Sequence, residues 1–489
     1  MSLNLRKLAA YRILSCVERL QNIGFVNHSS HITATTKFIS NYKKKTKNIS
    51  RQYNMSVSID KLQKFNYFPT FKKKEEFDKY KYTIAKMIEI DDNINNVNLV
   101  GNEFLMQIDY KLFIESVYET IITHKEDFGF NAPLNNYSLV NGVYKSRQYK
   151  NVCIEYSSPN IAKRFHYGHF RSTMIGHVLA NIYELLHDNV VRLNYYGDWG
   201  MQMGILLSNV DEKIFEKSAD EILCTLNRIY SEKSNNITLE TKQKALNSIM
   251  KLEQGDLKLT SIWQKLKNIS IQEYENTYKL LDVQFCDSEY ESNYDKESKI
   301  MTDYLFDKGI AKKNEYGTYV KNEDKNILLK RKDGTSLYIA RDLAAYFTRK
   351  DKYKSYQFVY VTESGQYEHF TKLKKLINLI EPTTETFDHL MFGRIHKLSS
   401  RKGSDVLLET ILSKITWQVI DRLKSNKNTR LEPKEYETIG SKIAIAVLLI
   451  NDLKRPIKQD YEFDIDAVIN NIKSGKCGMA ILLCHARLF

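Results

Sequence analysis

The sequence predicts an α/β protein built on a doubly wound, Rossmann-like parallel sheet, and three observations carry that expectation. A β-rich run over residues 152–156 stops at Ser157-Ser158-Pro159, where proline disfavours helix in the residue before it. Apolar residues then recur at helical spacing, Ile175, Val178, Leu179, Ile182, Leu185 and Leu186, before a second strand-like run over 190–195. Strand, helix, strand at this length implies a right-handed crossover and therefore parallel strands. Much later the alternation returns, with a strand at 358–361, a helix at 369–380 and a strand at 390–395. A ligand is expected across the carboxyl ends of these strands, where the two halves meet.

Composition bounds the partners. The 489 residues are 42% hydrophobic and carry a net charge of +14, enough apolar content for about two to four domains and a surplus suited to a polyanion. No run of eighteen apolar residues exists to span a bilayer, so nucleic acid is the expected partner rather than a membrane. Six cysteines, at 16, 153, 224, 286, 477 and 484, form no C-x-x-C pair and read as reduced thiols of an intracellular protein.

Taken in order, residues 1–50 hold nine Lys or Arg against one acid, Glu18, and are presequence-like. Residues 51–148 read as a small α/β module, with an amphipathic run at 80–89, a strand-like stretch at 98–108, a helix at 112–122 and a linker at 131–148. Residues 149–405 hold the doubly wound domain, interrupted by a helical insertion at 211–330 in which Asn314-Glu315-Tyr316-Gly317 reads as a hairpin turn. Residues 406–489 carry amphipathic helices at 407–423 and 436–453 and an apolar helix at 479–488.

The chemistry concentrates at His166-Tyr167-Gly168-His169, where the loop enters the first helix. Backbone N–H groups and the positive helix end are expected to face an anion there. Gly168 lets an adenine or ribose lie against the backbone, and His166 and His169 offer donors to phosphate oxygens. No Cys or third His lies near enough in sequence to complete a metal site, so none is expected.

SSPNIAKRFHYGHFRST, NYYGDWGMQMG, DGTSLYIARDLAAY (333–346) and KLSSRKG (397–403) together resemble the class I arginyl-tRNA synthetases, in the family's order over about two hundred and fifty residues. The likeness is nearest to the mitochondrial arginine–tRNA ligases. It implies ATP, entering with Mg2+, as a substrate beside L-arginine and tRNA(Arg), no resident cofactor and a monomer. It also implies activation of arginine followed by transfer to tRNA, in the mitochondrial matrix, with the cytoplasm as the alternative. The basic leader is then a targeting segment, or else an arm against tRNA. The module after it would hold the tRNA elbow and the last helices the anticodon stem, in a bundle that the family continues further and that is therefore expected to be truncated here. A tRNA-binding derivative with weak aminoacylation is the second reading.

Residue by residue, the resemblance assigns ATP to His166, Gly168, His169, Lys397, Ser399, Ser400, Arg401 and Lys402. Ser400 stands where the wider class has a lysine, and Lys163, just upstream of the histidines, is the expected replacement. Lys163, His166, His169 and Lys397 would be catalytic, stabilising charge on phosphate. For arginine it points to Glu155 and Asp342 on the guanidinium, Tyr338 lining the pocket, and Ser158, Pro159, Asn160, His169 and Gln366 near the amino-acid end. Tyr338 and Asp342, four apart, share a face if that segment is helical, although Asp342 could equally be a helix N-cap. Asp198, Trp199 and Gln202 are expected in the cleft, Trp199 either stacking on a base or filling core.

Overall fold

The computed structural model describes residues 151–473 apart from 186–187, 236, 323–325, 356, 383–386, 397–406 and 427–428, together with strands and some helical residues between 32 and 145 and Gly478, Ile481 and Leu482. The chain divides into two compact units, Met1–Tyr149 and Lys150–Phe489. The helix expected at 479–488 lies almost wholly outside the described residues.

In the first unit β1 (Ile32–Asn41), β2 (Gln52–Asp60), β3 (Ile94–Val100), β4 (Glu103–Ile108), β5 (Asn136–Val140) and β6 (Val143–Lys145) form one antiparallel sheet in the order β3-β4-β2-β1-β5-β6. Two expectations are corrected by it. β1 falls inside the expected leader yet pairs with β2 from Thr33 to Asn41, and β5 and β6 occupy the expected linker.

The second unit is organised by five strands, β7 (Asn151–Glu155), β8 (Asn189–Tyr196), β9 (Asp287–Tyr290), β13 (Gln357–Glu363) and β14 (Phe387–Phe392). They lie in the order β14-β13-β7-β8-β9 with every pair parallel, which is the doubly wound arrangement expected. Strand order reverses between β7 and β13, and the crevice beyond their carboxyl ends is where such sheets take ligands. β7 is buried from Val152 to Glu155 because helices cover both faces. Helix α1 (Tyr167–Leu185) returns across the sheet so closely that a Cβ on Gly176 would sit 2.2 Å from Tyr156.

Between β8 and β9 run α2 (Met201–Leu207), α3 (Ala219–Asn235), α4 (Leu239–Glu253) and α5 (Leu257–Leu281). Thr238 caps α4 and Asp256 caps α5, each accepting a bond from the N–H three residues on. In α5, Leu266, Ser270, Tyr274 and Tyr278 are buried at four-residue spacing and present one face to the sheet's loops. The insertion is mostly helical as far as Leu281, as expected, and only the remainder of 211–330 departs from helix. β9 completes the main sheet, α6 (Asp295–Asp307) follows, and β10 (Ala311–Asn314), β11 (Gly317–Val320) and β12 (Ile327–Arg331) form a separate antiparallel sheet. The turn at 314–317 does join two strands, with Asn314 Oδ1 accepting from the Tyr316 and Gly317 N–H groups.

α7 (Tyr338–Tyr353) leads into β13, and α8 (Tyr367–Ile380) joins β13 to β14. A short strand β15 (Ile395–His396) then pairs with β16 (Tyr461–Glu462). α9 (Leu408–Ser425), α10 (Tyr436–Leu453) and α11 (Ile465–Lys473) do not build a core of their own. Ile411, Ile415, Val447, Leu448, Val468 and Ile472 belong to the same buried cluster as Val152, Ile154 and Phe170.

Candidate active site

The loop leaving β7 is held in a conformation that its sequence does not favour. Ser157, Ser158 and Ala162 all have positive φ, at 67°, 44° and 64°, a region in which non-glycine residues are strained. Neighbouring side chains fix it. Ser157 Oγ lies 2.7 Å from both Thr173 Oγ1 and Tyr278 Oη, and the Ser158 N–H donates to Asn194 Oδ1. Ser270 Oγ accepts from the Ala162 N–H, and Tyr274 Oη lies within hydrogen-bond reach of the Asn160 and Lys163 carbonyls, at 2.8 and 2.6 Å. Gly197 donates to the Pro159 carbonyl, and a Cβ there would collide with Asn160 Oδ1 at 1.9 Å. Ser158 is thereby half-buried and Asn160 exposed, on the crevice side of the sheet.

His166 is the N-cap of α1. Its Nδ1 accepts from the N–H groups of Gly168 and His169, at 3.0 and 3.3 Å, while His169 Nδ1 accepts from the His166 N–H at 3.3 Å. This is a capping box made of two imidazoles, stacked with centroids 3.7 Å apart. Both Nδ1 atoms are acceptors, so in each neutral ring the proton resides on Nε2. Burial, with His166 and Lys163 nearby, holds the His169 pKa well below the usual histidine value, and its ring is a neutral donor. Two expectations change accordingly. The Gly168 and His169 N–H groups are taken by His166 rather than left for an anion, and a Cβ on Gly168 would meet the His166 ring at 2.8 Å, so the glycine makes room for that ring.

Across the switch point a second group of side chains gathers acid. α7 begins at Tyr338 with Leu337 as its N-cap, so Asp342 lies inside the helix and the cap alternative is excluded. Tyr338 and Asp342 do share a face: the Tyr338 ring is 4.7 Å from that of His369, and Asp342 Oδ2 is 2.7 Å from His369 Nε2. Glu155 is engaged elsewhere. Its Oε2 meets Arg349 Nη1 at 2.5 Å, and Arg349 Nε meets Glu289 at 2.7 Å, all three residues being buried. Arg341 pairs with Glu291 at 3.2 Å. Burial raises the carboxyls of both Glu155 and Glu291 to about 7, against Arg349 and Arg341 respectively, and the charge of Asp342 adds to the rise in each. Three carboxylates, of Glu155, Glu289 and Glu291, thus meet two guanidinium groups of the chain. Among the described residues, Asp342 has an imidazole for partner and no Lys or Arg.

The family model for "tRNA synthetases class I (R), catalytic domain" matches residues 134–465, more than half of the chain. The chain belongs to the class I arginyl-tRNA synthetases. A probable mitochondrial arginine–tRNA ligase of Homo sapiens is 31% identical over 417 residues, covering 83% of this chain and 70% of that one. The cytoplasmic arginine–tRNA ligase of Saccharomyces cerevisiae is 30% identical over 389 residues, 76% of this chain and 62% of that one. In fold, the chain resembles the arginyl-tRNA synthetase of Plasmodium falciparum, with a TM-score of 0.70 at 20% identity, over 98% of this chain and 79% of that one. It is therefore an aminoacyl-tRNA synthetase, and the positions of the remaining expected residues can be read against that class.

Three residues expected in the synthetase's cleft are engaged in its framework. Asp198 is fully buried, its carboxylate taking Lys267 Nζ at 2.7 Å together with the N–H and hydroxyl of Ser292. Trp199 packs edge-on against Trp263, 5.6 Å between centroids, which favours the core alternative over base stacking. Gln202 Nε2 donates to the Ile161 carbonyl. Gln366 is exposed in the turn Ser364–Gln366, between β13 and α8, at the crevice edge. Lys163 sits 5.3 Å over the Tyr230 ring, three residues before His166.

Lys397, Ser399, Ser400, Arg401 and Lys402 lie outside the described residues, but both ends of their segment are fixed. It leaves from β15 and returns at Leu407, which bridges to His166, while the Leu408 N–H donates to the Phe165 carbonyl. The chain therefore re-enters the described fold at Leu407, beside His166. Sequence reading missed Asn194, Ser270, Tyr274 and Tyr278, which shape the loop, and Arg349, Glu289 and His369, which set the charge of the acidic corner. Only His369 carried a nearby signal, three residues past Gln366.

Proposed function

We propose that this synthetase is an arginine–tRNA ligase of mitochondrial translation. The observation that carries the reading is the acidic corner beside the switch point, in which the chain's own arginines match Glu155 and Glu291 and leave Asp342 with a neutral-capable partner. A guanidinium presents five N–H donors and a permanent charge, and a site with residual negative charge selects it. Such a pocket rejects apolar amino acids strongly enough that no editing domain is required.

In the first step a carboxylate oxygen of arginine attacks the α-phosphorus of ATP and pyrophosphate leaves. In the second, a terminal ribose hydroxyl of tRNA attacks the carbonyl of the adenylate and AMP leaves. Neither step needs a protein nucleophile, so catalysis comes from alignment and charge stabilisation. His166 and His169 donate from Nε2 to phosphate oxygens, Lys163 and the segment with Lys397, Ser399, Ser400, Arg401 and Lys402 hold the triphosphate, and Mg2+ enters with ATP as part of the substrate. Ser158, Pro159, Asn160 and Gln366 bind the amino-acid end, and Tyr338 covers the side chain. Glu155 acts on arginine only through Arg349. The protein works as a monomer, and the net charge of +14 favours tRNA. Among the described residues no helix is long and apolar enough to cross a membrane. Mitochondrial relatives and the basic residues before β1 support the matrix as its location.

Charging of mitochondrial and cytosolic tRNA pools with each of the twenty amino acids tests the proposal. Arginine alone, on the mitochondrial pool, supports it; charging by lysine to a similar extent, or no charging with any amino acid, contradicts it.

A further inference from the structure

We infer that His369 is the positioning residue of the guanidinium site, fixing Asp342 by a neutral N–H donor that leaves the carboxylate's charge intact for the substrate. The inference rests on the proposed role of Asp342 and adds the device that makes that role possible.

The geometry is specific. His369 stands in the first turn of α8 and is buried, its Nε2 2.7 Å from Asp342 Oδ2. An ionised carboxylate only accepts, so Nε2 carries the proton. The other nitrogen, Nδ1, is buried and has no hydrogen-bond partner among the described residues. A second proton there would bury an unpaired, charged N–H, the costliest state for a side chain, whereas a bare nitrogen costs far less. The neutral tautomer with hydrogen on Nε2 is the one that fits. The ring packs against Tyr338 at 4.7 Å and Phe370 at 5.1 Å, and Phe370 is itself stacked on His389 at 4.3 Å.

The contrast with the adjacent carboxylates gives the arrangement its meaning. Arg349 and Arg341 neutralise Glu155 and Glu291, so those groups are oriented and discharged together. A lysine or arginine in place of His369 would do the same to Asp342 and close the site to a cationic side chain. A neutral imidazole separates the two effects, orienting one oxygen while the charge remains.

The test uses the full chain in tRNA charging, with KM for arginine and for ATP measured separately and melting temperature followed for each variant. His369→Gln places an amide N–H near the position of Nε2, whereas the shorter His369→Asn cannot reach Asp342. The expected result is a rise in arginine KM of about tenfold or more for His369→Asn with ATP KM within about twofold, and near-recovery by His369→Gln. Added to Asp342→Asn, the His369→Asn change should cost nothing further, because the group it positions is already altered. Equal impairment of the two His369 variants, a parallel rise in ATP KM, or full additivity in the double variant overturns the inference. If Asp342→Asn alone leaves arginine KM unchanged, the pocket assignment itself fails; if Asp342→Asn raises it and a folded His369→Asn does not, only the positioning role fails.

Discussion

A buried ionisable side chain is defined by what neutralises it, and in this synthetase that pairing separates framework from site. Asp198, Glu155 and Glu289 all find cations within the chain, and each consequently holds elements together. The resemblance pointed to Asp342, and the face it could share with Tyr338, four residues away, is the one the helix shows. The engagement of Glu155 was not legible in the sequence, since its partner Arg349 is 194 positions away and no local pattern says which carboxylate a distant arginine will meet. Histidines give a residue-scale prediction. Burial pushes the His389 pKa down to about 4 from 6.5. Between those values the unfolded chain binds a proton that the folded chain does not, so this residue's contribution to stability is present above pH 6.5 and is lost as the pH falls toward 4. Replacing it by Gln removes the titration. Denaturant unfolding at stepped pH should show the stability gap between the parent and His389→Gln shrinking as pH falls from 6.5 to 4. Glu155 and Glu291, which titrate near 7, are common to both proteins and cancel. A gap independent of pH contradicts the assignment.

At the scale of elements, the loop over residues 157–163 depends on a helix that precedes β9 and not on its own sequence. Three positive φ angles are stable there because Ser270, Tyr274 and Tyr278 of α5 hold the backbone from one side. Helical periodicity in the insertion implies a covered face, but amphipathicity does not say what covers it. β9 was illegible for a different reason: Asp287-Ser288-Glu289-Tyr290 is short, polar and without alternation, and it is a strand because β8 offers it an edge. Tyr274→Phe removes the hydroxyl that serves the Asn160 and Lys163 carbonyls while keeping the ring. The expected loss is about 1–2 kcal/mol of stability, with a rise in KM for ATP because the following residues lead into His166. Urea titration and steady-state kinetics check both parts. Unchanged stability and kinetics would show that the loop holds its shape without the clamp.

For the whole molecule, the order β14-β13-β7-β8-β9 brings two sequence segments nearly two hundred residues apart to one crevice. That much followed from the repeated strand–helix–strand pattern. The union of the catalytic sheet with the last helices did not, because amphipathic stripes on α9 and α10 fit a separate bundle equally well. Their buried faces join the sheet's core, and Arg171 of α1 meets Asp452 of α10 with both side chains 1% exposed. Tyr461 adds a hydroxyl to Asp452 at 2.5 Å and a ring 4.8 Å from the guanidinium. Asp452→Ala leaves a buried guanidinium without its carboxylate and is expected to cost about 3–5 kcal/mol. Native-state hydrogen exchange should then show α1 and α10 losing protection together. Loss confined to α10 would mean that the last helices unfold independently of the sheet and α1.

The charge balance around Asp342 is what the functional reading depends on, and one substitution isolates it. Asp342→Asn keeps the shape and the contact with His369 while removing a single negative charge. In tRNA charging the expected result is a rise in KM for arginine of about fiftyfold or more, with KM for ATP within about twofold and the melting temperature nearly unchanged. An equal effect on both substrates, or none on arginine, would contradict the assignment of this carboxylate to the guanidinium.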